Sequence, residues 1–186
     1  MVGGNHESRL LRPGVRAFGC NGRNRRSAPT VNGLNYVNQK APAPAPVPRP
    51  QPGCFACGAD HPHGLKLQFR ADGPGSVSAD WVPSKAWEGF QGIVHGGIVA
   101  TVLDEAMSKA VAAAGPPALT CHLEVRLRRH VAPEEALVVR GWVVEKRKRR
   151  IRVEAELRDR MNTERAHAWA TFLEVPFGPS RRETGE

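Results

Sequence analysis

The chain of 186 residues lacks any uncharged apolar run of about 18 residues, so we expect no membrane-spanning helix and no membrane partner. Its four cysteines are too few for a secreted disulfide scaffold. The patterns GxSxG, GxxxxGK[ST], GxGxxG and HExxH are also missing. Their absence argues against a serine hydrolase elbow, a phosphate-binding loop, a dinucleotide site and a zinc peptidase site.

Positive charge is concentrated at the start of the chain. Residues 1–53 carry seven arginines and one lysine against one glutamate, whereas residues 54–186 carry 19 basic and 17 acidic side chains. The net charge of +9 therefore arises mostly from the first segment. We expect no nucleic-acid partner for the remainder, and a nucleic-acid-associated protein is a third interpretation that rests on the first segment alone.

The same N-terminal segment has no periodic apolar pattern and ends in the proline-rich run APAPAPVPRPQPG at residues 41–53. Alternating proline prevents helix and sheet formation and favours an extended linker. We predict a disordered basic arm over 1–53, a folded domain over 54–176 and a tail over 177–186. The arm has no apolar core typical of a secretory signal, so we expect a cytoplasmic protein. An organelle-targeting peptide or an over-extended reading frame remains an alternative.

The pattern of the folded region predicts an α+β domain. Residues 97–114 form an apolar helix that GPP ends, and this helix is apolar almost all round, so other elements must cover several of its sides. The run at 65–70 alternates between apolar and polar residues, as a strand does. Further strands are predicted at residues 76–82, 119–128, 137–145, 151–158 and 164–175. These strands would form a six-stranded antiparallel sheet wrapped around one central helix, with 137–145 in a central position.

The strand at 119–128 alternates strictly. We expect its apolar residues to share one face: Leu119, Cys121, Leu123, Val125 and Leu127. The polar residues would then share the opposite face, including Thr120, His122, Glu124, Arg126 and Arg128.

The segment GIVHGGIVATVLDEAM at residues 92–107 carries the chemistry. His95, Gly96 and Gly97 lie where a loop becomes a helix, so the first backbone amides have no intrahelical acceptor. Two glycines leave these amides open to a carbonyl or oxyanion. Asp104 follows Gly97 by seven residues, within about 20° of two full turns, and therefore shares its face. A carboxylate here needs a partner or a task, and an ordinary ion pair or solvent contact is the alternative.

The same segment resembles the signature of hotdog-fold acyl-CoA thioesterases of the phenylacetate-pathway (PaaI-like) type. In that family an HGG turn opens the central helix, and an acidic residue lies nine positions after the histidine. The upstream run CFACGADHPHGLKLQF is similar to a lead-in of many bacterial members, although His61 stands where asparagine is usual. The strand ending RRHV also lacks the usual proline.

The resemblance implies roles for individual residues in thioester hydrolysis. The amides of Gly96 and Gly97 would stabilise the oxyanion, and Asp104 would act as general base or as nucleophile. Thr120 would orient the water, unless it is an ordinary strand residue, and His95 fixes the turn rather than transferring a proton. The resemblance also implies an acyl-CoA substrate and a site at a dimer interface. A hydrophobic helix under a single sheet leaves apolar surface over, so we expect a homodimer or a dimer of dimers. We expect no cofactor and no metal.

We expect the acyl pocket to be lined by some of five side chains. Not all five can line it, because one face of the helix must pack on the sheet. The five are Trp87 and Phe90 in the preceding loop, and Val99, Leu103 and Met107 along the helix. A non-catalytic acyl-CoA-binding protein remains the second interpretation, since a fold does not fix a function.

Two further signals receive less weight. Cys54 and Cys57, with His61 and His63 nearby, have the composition of a zinc site, but a second CxxC is missing and no βαβ pattern favours a redox motif. Five cations at 146–150 are predicted at a hairpin turn, where they are exposed to solvent or hold the nucleotide end of coenzyme A.

Overall fold

The fold is known from a computed structural model, which describes residues 51–115 and 117–175. The predicted tail at 177–186 and nearly all of the predicted arm at 1–53 lie outside the described residues, so those two boundaries stay predictions. The strands and helix are β1 (Arg70–Gly73), β2 (Ser76–Trp81), β3 (Glu88–Phe90), β4 (Ile93–Val94), α1 (Gly96–Ala114), β5 (Ala118–Leu127), β6 (Leu137–Arg147), β7 (Arg150–Asp159) and β8 (Glu164–Glu174).

Six strands form one antiparallel sheet in the order β1-β2-β6-β7-β8-β5, and β3 pairs with β4 in a separate hairpin. Helix α1 crosses one face of the six-stranded sheet. The predicted α+β architecture is confirmed, as is the central position of the strand that begins at Leu137. In the described residues, no helix is both long and apolar enough to span a membrane.

Helix α1 begins one residue earlier than predicted and ends at the expected Ala114. Eight of its side chains are buried, which explains its nearly all-round apolar composition. The helix lies close to β6: a Cβ on Gly141 would come within 2.5 Å of the Ala106 carbonyl oxygen. The sheet therefore holds the helix at a fixed depth and orientation.

The predicted strand at 65–70 is wrong, although its burial pattern is right. Leu65 and Leu67 are buried as alternation requires, but their amides donate to Phe55 O at 2.8 Å and Ala56 O at 3.0 Å. These acceptors lie in an irregular loop rather than in a strand. Lys66 has a φ of 56°, which breaks the extended conformation. The first strand of the sheet begins only at Arg70.

The predicted strict alternation of β5 is also wrong at its start. A bulge at Cys121 leaves Thr120 opposite Phe172 and His122 opposite Thr171, so one residue of β5 has no counterpart. Because Phe172 is buried, Thr120 shares the inner face with the helix. Leu119 turns to the outer face instead. The bulge thus moves a polar side chain to the side that carries α1.

Beyond the bulge, the inner face of β5 is apolar yet open. Leu123 and Leu127 lie beside Ala170 and Ala166 of β8, but they remain 38% and 53% exposed. Strand β5 is an edge strand of the sheet, so no further strand lies beside these leucines. Exposed apolar sheet edges are common places for one chain to pair with another.

Candidate active site

The start of α1 is held in place by the segment before it. Residues expected to form a loop instead make a short 3-10 turn and the β3–β4 hairpin. The His95 amide donates to Trp87 O at 2.8 Å, and the Val94 amide donates to Val131 O at 2.9 Å. These two bonds fix the helix start beside the segment that follows β5.

His95 is the N-cap residue of helix α1. Its Nδ1 accepts a hydrogen bond from the Gly97 amide at 3.0 Å. That amide is therefore occupied, whereas Gly96, as first helical residue, has no intrahelical acceptor for its N–H and no other acceptor among the described residues. Sequence reasoning treated the two glycines alike; the geometry makes Gly96 the more available donor.

Asp104 is hydrogen-bonded to Thr120, the residue that the bulge in β5 turns toward the helix. The Thr120 hydroxyl donates to Asp104 Oδ1 at 3.0 Å. Burial raises the pKa of Asp104 above its ordinary value, the Thr120 hydrogen bond lowers it in part, and the charge of Glu105 raises it further. A half-buried carboxylate held by a hydroxyl is poised to accept a proton from water.

The helix start and Asp104 do not meet within one chain. Asp104 lies eight residues after Gly96, which corresponds to about 12 Å along a helix axis. One carbonyl group cannot contact both the Gly96 amide and the Asp104 carboxylate across that distance. The two halves of the predicted site are therefore separate in a single subunit.

A cavity of about 490 Å³ opens at the helix start, between the β3–β4 hairpin and the end of β5. Its volume falls in the range of ordinary small-molecule sites. The lining includes two predicted pocket residues, Phe90, which is 80% exposed, and Val99, which is buried. Leu127 completes an apolar wall.

The other three predicted pocket residues lie elsewhere in the subunit. Leu103 and Met107 are fully buried in the core. Trp87 stacks on Trp81, with ring centroids 6.3 Å apart, and packs against the same core. None of the three lines the cavity at the helix start.

The cavity also has a basic rim that sequence reasoning did not single out. Arg128, Arg129 and His130 line it immediately after β5. The run RLRRH at the end of a predicted strand was the available signal. Arg128 also pairs with Glu164. In the predicted cationic turn, Lys146 and Arg147 likewise pair with Glu174 and Glu145.

The CxxC segment is not arranged as a reactive thiol centre. Burial, with the nearby Glu105, raises the pKa of Cys57 to about 12. A thiol with so high a pKa is not the thiolate that redox exchange requires. Neither His61 nor His63 joins the two cysteines in a cluster of potential metal ligands; Glu105 does.

Comparison with known proteins identifies the segment that contains this site. Residues 91–166 match the model of the thioesterase superfamily. A search of curated proteins found no match.

Solved structures of thioesterase superfamily proteins share the fold. One such protein superposes with a TM-score of 0.63 at 22% identity, covering 66% of this chain and 61% of its own length. A phenylacetic acid degradation-related protein from Ralstonia eutropha gives 0.54 at 26% identity, with 59% and 85% covered. A thioesterase-type protein from Streptococcus pneumoniae, solved with coenzyme A, gives 0.55 at 15% identity, with 57% and 86% covered. The hotdog fold implied by the resemblance is confirmed.

The pneumococcal protein is also represented by two variants. In one an aspartate is replaced by alanine, and in the other a threonine is replaced by alanine.

Proposed function

We propose that the protein hydrolyses acyl-CoA thioesters to a free acid and coenzyme A. The observation that carries the proposal is the pair formed by an open amide at the start of α1 and a hydroxyl-bound, half-buried Asp104 on the same helix. An amide donor and a carboxylate are the two groups that thioester hydrolysis needs.

In the proposed reaction, the thioester carbonyl oxygen accepts a hydrogen bond from the Gly96 amide. This donor stabilises the negative charge that develops as the carbonyl carbon becomes tetrahedral. Asp104 takes a proton from the attacking water, or attacks the carbon itself. In the general-base route, collapse of the intermediate breaks the carbon–sulfur bond, and the proton held by Asp104 passes to the leaving sulfur, so coenzyme A leaves as the thiol. In the nucleophilic route, the thiolate leaves as an acyl–Asp104 anhydride forms, and water then hydrolyses the anhydride to the free acid and supplies the proton for the thiolate.

Two copies of the chain are needed for this arrangement. The roughly 12 Å between Gly96 and Asp104 along the helix separates the donor from the base in one subunit. The exposed inner face of β5 carries Leu123 and Leu127, on the strand whose Thr120 binds Asp104 and whose Leu127 lines the cavity. A twofold pairing across this edge would cover the leucines and bring the Asp104 of one protomer to the helix start of its partner.

The spacing within the pneumococcal protein supports the roles of Asp104 and Thr120. The aspartate and threonine replaced in its variants are 16 residues apart, as are Asp104 and Thr120 here. In this chain the pair is joined directly at 3.0 Å. We propose that Thr120 holds the Asp104 carboxylate in the orientation that receives the proton.

The basic rim suits the phosphate groups of coenzyme A. Arg128 and Arg129 lie beside the cavity wall formed by Phe90 and Val99. Guanidinium groups bind phosphate oxygens through charge-assisted hydrogen bonds. An apolar wall with cations at its edge matches an acyl-pantetheine arm with a phosphorylated end.

A thiol-release assay across short, long and aromatic acyl-CoAs tests the proposal. We expect turnover by the wild-type protein, and a fall of about 10²-fold or more in kcat for Asp104→Asn, because the amide cannot accept the proton. Asp80→Asn is the control, since Asp80 pairs with Arg70 on a distant strand. Binding of acyl-CoA without turnover in the wild type would favour the non-catalytic alternative. Unchanged turnover in Asp104→Asn would contradict the assignment of the base.

A further inference from the structure

A second cluster of chemically active side chains lies on another side of α1. The Sγ atoms of Cys54 and Cys57 and a carboxylate oxygen of Glu105 lie within 4.8 Å of one another. Cys57 is buried, and Cys54 and Glu105 are partly buried. The sequence offered only the two cysteines, because Glu105 is 48 residues further along the chain.

The backbone around the cysteines is wound into a tight turn. The Gly58 amide donates to Cys54 O at 2.8 Å, and the Cys54 amide donates to Gln51 O at 2.9 Å. A Cβ on Gly58 would lie 2.3 to 2.6 Å from backbone atoms of Pro52 and Cys54. The turn therefore requires glycine directly after the second cysteine, and it presents both thiols to the helix.

Charge around the cluster is balanced for a divalent cation. Lys109 pairs with Glu105 at 3.3 Å, and both side chains are at most 15% exposed. Two thiolates and one carboxylate around a dication give a net charge of −1, which the ammonium of Lys109 would neutralise. A site near neutrality avoids most of the cost of burying charge.

The spacing of the three groups also suits a small cation. Ligands of a tetrahedral zinc ion with bonds near 2.3 Å are about 3.7 Å apart. The three ligand atoms, all within 4.8 Å of one another, are close to that spacing. Two sulfur ligands favour zinc over magnesium or calcium, which prefer oxygen.

We propose that Cys54, Cys57 and Glu105 form a zinc site with a water molecule as fourth ligand. The bound ion would join the irregular N-terminal loop, whose Phe55 and Ala56 hold Leu65 and Leu67, to the helix that carries Asp104. It would act on stability rather than on the chemical step.

Metal titration of the full-length reduced protein tests the site. After chelation and removal of the chelator, Co²⁺ should bind with one equivalent per chain and give a thiolate-to-metal charge-transfer band, which Zn²⁺ then abolishes. Cys54→Ser should remove most of the band. Cys121→Ser is the matched control, because Cys121 lies on β5 and bonds to Thr171 O.

Glu105→Gln separates a three-ligand site from simple binding to two thiols. Loss of this ligand should weaken Zn²⁺ binding by at least about tenfold, with the helix intact by circular dichroism. If Cys57→Ser does not fold, the partly exposed Cys54 and Glu105 still provide the test. Absence of a charge-transfer band, or equal Zn²⁺ affinity in Glu105→Gln and the wild type, would overturn the proposal.

Discussion

Strands β5 and β7 are both ten residues long and both alternate in sequence, yet they differ in burial. On β7 the inner-face residues are almost fully buried, whereas on β5 the corresponding leucines are open to solvent. The sharpest pair is Leu157 and Leu127, which lie on either side of Ala166 of β8. Leu157 is fully buried and Leu127 is 53% exposed.

The two strands differ in how many strands lie beside them. Strand β7 has a strand on each side, whereas β5 lies at the edge of the sheet and has a strand on one side only. Strand β5 is also the strand that contributes Thr120 to Asp104 and Leu127 to the cavity. The exposed edge and the half-built site therefore belong to the same element.

The largest effects are expected from alanine substitution at Leu157 of β7 and Leu127 of β5. Leu157→Ala should lower the free energy of unfolding by about 2–5 kcal/mol at every protein concentration, because it creates a core cavity. Leu127→Ala should mainly weaken subunit association, so its effect on the unfolding midpoint should depend on protein concentration. Denaturant unfolding and sedimentation at several concentrations measure both. An equal, concentration-independent loss at the two sites would show that the β5 edge is not an interface.

Removal of the Gly96 backbone N–H tests whether the helix start, which lies beside Leu127, supplies the oxyanion donor. Gly96→Pro deletes the amide at the first helical position, where proline fits, and His95 already has the extended conformation that precedes proline, with φ of −58° and ψ of 131°. We expect kcat to fall by about 10²–10³-fold with helix content unchanged.

Gly96→Ala is the control for that substitution, since it keeps the amide. Its methyl group would meet only Leu127 Cδ1, at 2.8 Å, which is the end of a flexible side chain. The alanine variant should therefore lose far less activity than the proline variant. Equal losses would mean that the Gly96 amide does not bind the oxyanion.

Loss of the hydroxyl that β5 supplies should give the smallest effect. Thr120→Val keeps the shape of the side chain but removes the hydrogen bond to Asp104, and hydrogen bonds to charged groups contribute about 1.5–3 kcal/mol. We expect kcat to fall by roughly tenfold with KM little changed. Thr101→Val is the control, because Thr101 bonds only to Gly97 O within the helix. A similar loss in both variants would point to general disturbance of α1.

Much of the fold follows from periodicity. Helix α1 and strands β2, β6, β7 and β8 agree with the prediction to within about two residues at most ends, because their apolar faces meet one continuous core. The run at 65–70 alternates for the same reason but pairs with a loop. Alternation reports burial, and it cannot tell which backbone supplies the hydrogen bonds.

Only part of the candidate site could be predicted from local sequence patterns. The pattern HGG followed by Asp104 is local in sequence, so its position at the helix start could be predicted. The bulge at Cys121 depends on pairing with β8, and the cluster with Glu105 depends on how a distant loop packs. Such contacts between segments far apart in sequence leave no periodic signal.

Mixed dimers test the central claim, that each site combines Asp104 of one protomer with the helix start of its partner. Asp104→Asn and Gly96→Pro would be purified separately, then unfolded together and refolded in equal amounts. Random pairing makes half of the dimers mixed, and each mixed dimer has one site with both groups intact. The account predicts recovery of about a quarter of wild-type turnover from two nearly inactive parents. Turnover no higher than the average of the parents, with mixed dimers present, would contradict a site shared between subunits.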